Sequence, residues 1–101
     1  MNIPKHPIQT LITFADFPQR GTSARSNLIE FGKELHAKAE ILEQQGKTFS
    51  FVRSVKKNVF KRNWLDQESA EEWKTFVIEM SQKHNVVILN IEISVDLNPE
   101  V

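Results

Sequence analysis

The chain has 101 residues, 40% hydrophobic and 26% charged, a length and balance that suit one domain around one core. Thirteen basic residues offset thirteen acidic ones, so no net field draws it to nucleic acid or to an anionic membrane. There is no cysteine, which excludes disulfides and thiolate chemistry.

Residues 1–7 read as a polar lead-in broken by Pro4 and Pro7, unlike a signal peptide. No apolar run approaches the roughly 20 residues that span a bilayer. The expectation is therefore a soluble, cytoplasmic protein without membrane contact. Residues 8–17 form a strand rich in β-branched and aromatic side chains, with Ile12 and Phe14 on one face and Leu11 and Ala15 on the other. Pro18 and Gly21 end it. Thr22 or Ser23 caps a helix over 23–45, whose stripe is Leu28, Phe31, Leu35, Ala39 and Leu42. Gly46 suits the left-handed residue after it.

Two strands, 48–55 and 59–65, follow with a tight turn between them. A Lys56-Lys57 loop would set Arg53 opposite Phe60, Phe51 opposite Arg62 and Phe49 opposite Trp64. That register gathers four aromatics and two arginines on one face, against Ser50, Val52, Ser54, Lys61 and Asn63 on the other. A second helix begins at Asp66 or Ser69 and runs to Lys83; Ser69 and Glu72 have the spacing of a capping box. Its stripe is Ala70, Trp73, Val77 and Met80, with Phe76 alongside. The last strand, 86–95, alternates most clearly: Val87, Leu89, Ile91, Ile93 and Val95 on one face, Asn90, Glu92 and Ser94 on the other. Residues 96–101 read as a polar tail. Leu28, Phe31, Leu35, Trp73, Val77, Met80, Leu89 and Ile91 are expected in the core.

The order β-α-β-β-α-β predicts a single ferredoxin-like α+β domain over 1–101, with irregular ends at 1–7 and 96–101. Two helices would pack on one face of a four-stranded antiparallel sheet, with the outer strands of each half as parallel neighbours. Ile88 and either Leu11 or Ile12 would remain on the uncovered face. Partial apolar character there predicts a cover, most simply a second copy packed sheet to sheet.

The run Arg62-Asn63-Trp64-Leu65-Asp66-Gln67-Glu68-Ser69-Ala70-Glu71-Glu72-Trp73 resembles the junction between third strand and second helix in dimeric α+β barrel proteins, the antibiotic-biosynthesis-monooxygenase-like domains among them. The match covers about a tenth of the chain, and the order of elements agrees along its full length. The resemblance implies a homodimeric barrel with a pocket between sheet and helices. It implies a function in binding or oxidising a small organic molecule, since the family includes cofactor-free quinone-forming oxygenases. Haem-degrading relatives use an asparagine on the first strand, a tryptophan on the second helix and a histidine ten residues beyond. Trp73 matches the tryptophan, but His84 lies eleven residues on and residues 8–17 hold no asparagine. Haem does not carry over, and no cofactor is expected.

Trp64, Arg62, Arg53, Asn63, Asn90, Trp73 and His84 are the ligand-pocket candidates. Each also has a plain structural reading. Trp64 and Trp73 suit core packing. Arg53 and Arg62 could clamp an anion or simply snorkel. His84 fits the negative end of a helix dipole. His36 has no obvious carboxylate partner and reads as an exposed helical histidine. The three histidines lack metal-ligand spacing, so no metal site is expected. No catalytic residue stands out. Two alternatives remain open: a non-catalytic dimerisation or interaction module, and an RNA-binding module that stacks bases on the aromatic hairpin face. For the second, Lys57-Asn58-Val59-Phe60-Lys61 lacks the glycines of the RNA-recognition signature, so nucleic acid is not the expected partner.

Overall fold

The computed structural model describes residues 6–15, 17–48, 53–56 and 58–96, with the backbone alone for Arg53 and Ser54. In chain order the elements are β1 (Ile8–Phe14), α1 (Ser23–Gln44), β2 (Arg53–Lys56), β3 (Val59–Trp64), α2 (Gln67–Lys83) and β4 (Ile88–Val95). The strands form one antiparallel sheet in the order β2-β3-β1-β4, and side chains of both helices join one core cluster with the sheet. This is the ferredoxin-like α+β arrangement. The expectation that β1 and β2, and β3 and β4, are neighbours is corrected, because β3 lies between the first pair and β1 between the second. A helix about 10 Å wide covers two strand spacings of about 4.8 Å, which leaves a slot that the returning strand fills.

Alternation along β1 sets the two faces. Thr10, Ile12 and Phe14 are buried toward the helices, and the pairs Ile8–Trp64, Thr10–Arg62 and Ile12–Phe60 put three β3 side chains on that side. Gln9, Leu11 and Thr13 pair with Asn63, Lys61 and Val59 on the open face.

Two irregularities overturn the expected registers. On β4, Ile93 and Ile91 pair with Thr10 and Ile12, but Phe14 pairs with Ile88. Leu89 is thus the extra residue of a β-bulge, and a bulge reverses the face of everything beyond it. Ile88 therefore packs against the core, while Leu89 is 65% exposed. In the hairpin, Lys56 pairs with Val59, so the loop is residues 57 and 58, with Asn58 at φ 73°. Asparagine tolerates that left-handed conformation, which two-residue hairpin loops demand. A further register shift before Lys56 leaves Arg53 opposite Lys61 rather than Phe60. Thr48, not Phe49, bridges to Trp64. Phe49, Ser50, Phe51 and Val52 lie outside the described residues.

The Thr22 Oγ1 caps α1 by accepting from the Arg25 N–H at 3.2 Å. For α2 the cap is Asp66, whose Oδ1 accepts from the Ser69 N–H at 2.8 Å. The expected Ser69–Glu72 capping box gives way to this. Starting the helix at Gln67 turns Ser69 inward, 3% exposed, and frees Glu72 to reach Lys38 and Lys47 of the other helix and its exit. The chain ends also differ from plain tails. Asp96 is 9% exposed; its N–H donates to the Pro7 carbonyl, and its carboxylate meets Lys61 at 2.6 Å. Among the described residues, no helix is long and apolar enough to cross a membrane.

Candidate functional site

The two helices meet the sheet at different depths. Ala70, Trp73 and Val77 bring α2 down onto β1, β3 and β4. By contrast, among the described residues no Cα of α1 comes within 8 Å of a strand Cα. Polar links hold α1 to α2 instead: Lys38 to Glu72 at 3.3 Å, Lys83 to Glu34 at 3.2 Å, and the His84 ring to Glu34. Lys38 also lies over the Phe76 ring. From α1 the Phe31 ring reaches the sheet, edge-on to Phe14 with centroids 6.1 Å apart.

The space under the lifted helix is a cavity of about 500 Å³, within the usual range of small-molecule pockets. Its sheet wall is Thr10, Ile12, Phe14, Phe60 and Arg62; its helix wall is Leu28, Phe31, Gly32 and Leu35. Phe17 closes one side through contacts with Phe14 and Phe60, both at 6.3 Å. Trp73 lines it from α2, and Arg25 and His36 line it from α1. The interior is thus chiefly aromatic and aliphatic.

Its polar groups are few and convergent. The Arg62 guanidinium lies over the Trp73 ring, 5.5 Å from the centroid. Burial pushes the Arg62 pKa down from its ordinary value, with the charge of Glu43 acting the other way. Behind it, the Trp64 Nε1–H donates to the Thr10 Oγ1 at 3.0 Å, and that hydroxyl donates to the Arg62 carbonyl at 3.4 Å. The Trp73 Nε1 is buried and has no hydrogen-bond partner among the described residues, although Trp73 itself is 4% exposed.

Of the seven sequence candidates, the cavity takes Arg62 and Trp73. Trp64 is fully buried behind Trp73, ring centroids 5.3 Å apart, where it supports the wall. By its backbone pairing Arg53 falls in the Lys61 row of the sheet, not the Arg62 row. Asn63 belongs to the other face and is tied to Asp96 Oδ2 at 2.8 Å and to the His6 carbonyl at 3.0 Å. Asn90 is exposed on β4 opposite Thr13. His84 caps the end of α2 and serves the Glu34 link. His36, expected without a partner, pairs with Glu40 at 3.2 Å.

Sequence reasoning passed over Thr10, Phe17, Arg25 and Gly32. Two had a signal: Thr10 is a polar residue in the apolar row of its strand, and Gly32 is a glycine inside a helical stripe. The open sheet face is mostly polar, with Gln9 bonded to Ser94 at 2.9 Å and the Lys61–Asp96 pair buried near one end. Phe60 and Trp64 lie on the helix side of the sheet, so neither contributes to a base-stacking platform on the open face. Fold and cavity together define the class, a ferredoxin-like α+β domain with a pocket between helix and sheet. Compared with protein-family models, curated proteins and solved structures, the chain has no match.

Proposed function

We propose that this protein binds a small, largely apolar organic molecule between α1 and the sheet. The observation that carries the reading is the cavity of about 500 Å³ left by the lifted helix, walled by Phe14, Phe17, Phe31, Phe60 and Trp73. A void of this size beneath a helix forfeits dispersion contacts with its lining, and an apolar guest restores them. The resemblance to antibiotic-biosynthesis-monooxygenase-like domains supports the same location, since those enclose their ligands between sheet and helices. Oxidation of the bound molecule is the catalytic extension of that resemblance.

Amide-resolved NMR titration with 2-naphthoate and 2-naphthamide tests the proposal. Shifts should centre on Phe31, Phe60 and Trp73 for at least one probe. They should vanish in Gly32→Trp, whose indole would occupy the cavity. No Cβ obstacle lies within 4 Å of Gly32, so the helix should accept that substitution. An absence of shifts with either probe at millimolar concentration, or shifts that survive in the variant, would reject it.

The homodimer belongs to this reading in altered form. Among the described residues the open face is mostly polar, whereas edge strand β4 exposes Leu89 and Val95, with Val87 just before it. An exposed apolar edge is a template for pairing with another chain. Light scattering at micromolar concentration should return twice the monomer mass; a monomer mass removes the dimer and leaves the cavity proposal intact.

A further inference from the structure

Resting on the homodimer proposed for this protein, we infer that two copies pair edge to edge along β4, antiparallel about Ile91, so that their sheets become one. Among the described residues β4 pairs with β1 alone and lies at the edge of the sheet. The ladder shows which backbone groups that edge offers. The Asp96 N–H donates to the Pro7 carbonyl on the β1 side. Direction alternates along an antiparallel strand, so Ser94, Glu92 and Asn90 also turn their N–H and C=O groups toward β1, while Ile91, Ile93 and Val95 turn theirs outward. Along the same edge Val87, Leu89 and Val95 are 63%, 65% and 61% exposed.

A two-fold interface must be complementary to itself. The sequence of β4 meets that condition about Ile91. Read outward in both directions, polar Asn90 matches polar Glu92, Leu89 matches Ile93, and Val87 matches Val95. The mismatched pair is Ile88 and Ser94, and the bulge has already turned Ile88 into the core. Directly opposed residues of an antiparallel pair share a face, so Leu89 would lie across from the partner's Ile93. A groove of about 430 Å³ between α2 and this edge, lined by Ile78, Val87, Ile88 and Ile91 among others, would seat the partner's Val95 at the end of the pairing. Charge selects the register. About Ile91, Glu92 meets the partner's Asn90, whose amide can donate to it; about Glu92, two carboxylates would stand opposed, which destabilises a strand pair. The apolar side chains and strand backbone of both copies offer an area on the order of 1,000 Å², the size a specific interface needs.

Single cysteines report the register, because the chain has none of its own. Asn90 and Glu92 are exposed, so each accepts the change without disturbing the core. Asn90→Cys and Glu92→Cys proteins, mixed under reducing conditions and then oxidised, should give a disulfide-linked dimer carrying one of each. That product should far exceed what either variant gives alone, because directly opposed residues lie within disulfide reach and residues two places out of register do not. Leu89→Lys, which puts a charge at the edge, should return the monomer mass in light scattering where the unaltered protein returns the dimer mass; a thermal melt checks that it folds. A monomer mass for the unaltered protein overturns the homodimer and this inference together. A dimer mass without the mixed disulfide, or with Glu92→Cys alone crosslinking as readily, overturns this inference and leaves the homodimer standing. A folded Leu89→Lys protein that keeps the dimer mass also overturns it. The cavity reading is untouched by all of these results, since its probes are titrated separately.

Discussion

The side of the molecule under α2 and the side under α1 share one sheet and one core cluster, yet they are built differently. On the α2 side a small residue, Ala70, sits in line with Trp73 and Val77, all three almost fully buried. A helix whose stripe includes a methyl group lies close to a sheet, and the larger side chains fill the space on either flank. On the α1 side Phe31, Ala39 and Leu42 are buried, but Leu28 and Leu35 stay partly exposed along the cavity and Gly32 presents no side chain to it. The same hydrophobic periodicity therefore produces dense packing on one side and a pocket on the other. The stripe of α1 also holds a buried alanine, Ala39, so the difference lies in what props the helix: among the described residues charged pairs tie α1 to α2, and no α1 Cα comes within 8 Å of a strand Cα.

Truncation of one apolar side chain on each side gives the largest expected contrast. Val77→Ala removes methyl groups from a fully buried position and should cost about 2–3 kcal/mol, as lost transfer free energy plus a cavity. Leu35→Ala removes more atoms, but from a wall that already faces open space, and should cost only about 1 kcal/mol. Urea unfolding of both variants checks the ranking. A larger loss at Leu35 would mean that α1 packs as tightly as α2.

The charged prop between the helices makes a prediction in pH. The hydrogen bond from His84, followed by that from Lys83, holds the Glu34 carboxyl below its ordinary value of 4.5. A group whose folded pKa is depressed contributes stability above its unfolded pKa and loses it as pH falls through the folded one. Glu34→Gln should therefore lower the urea midpoint at about pH 7, and that deficit should shrink as pH falls through the depressed folded pKa of Glu34. A deficit that stays constant as the pH is lowered would show that the link is not electrostatic.

The smallest effect should come from Gly32→Ala. Alanine loses less backbone entropy than glycine in a helix, and the new methyl would meet nothing within 4 Å. A gain of about 0.5–1 kcal/mol in urea unfolding is expected. Destabilisation there would mean that the helix sits closer to the sheet than the cavity requires.

Much of the fold was legible in the residues themselves, and the failures have identifiable causes. The α2 stripe and the Thr22 cap followed from spacing within a single helix. The face of Ile88 did not, because the alternation Val87, Leu89, Ile91 continues unbroken through the bulge and carries no mark of it. The hairpin loop was misplaced by one residue, although Asn58 held a hint in its tolerance of positive φ. The separate register shift between Ser54 and Lys56 put Arg53 in the row of Lys61 rather than that of Arg62. Arg62 and Trp73 were named among the candidates, but nothing along the chain showed that they meet in the lining of one cavity.

Element order, the Thr22 cap and the helical stripes were determined by the sequence alone, because each rests on groups within a few residues of one another. The β4 bulge, the pairing of Arg53 with Lys61 and the height of α1 above the sheet were decided only in the tertiary structure. Each depends on how side chains distant in sequence fit together: Phe14 against Ile88, Phe31 against Phe14, Arg62 over Trp73. Periodicity tells which way a side chain points, but the volume of what it meets sets how far apart two elements stand, and that distance made the pocket.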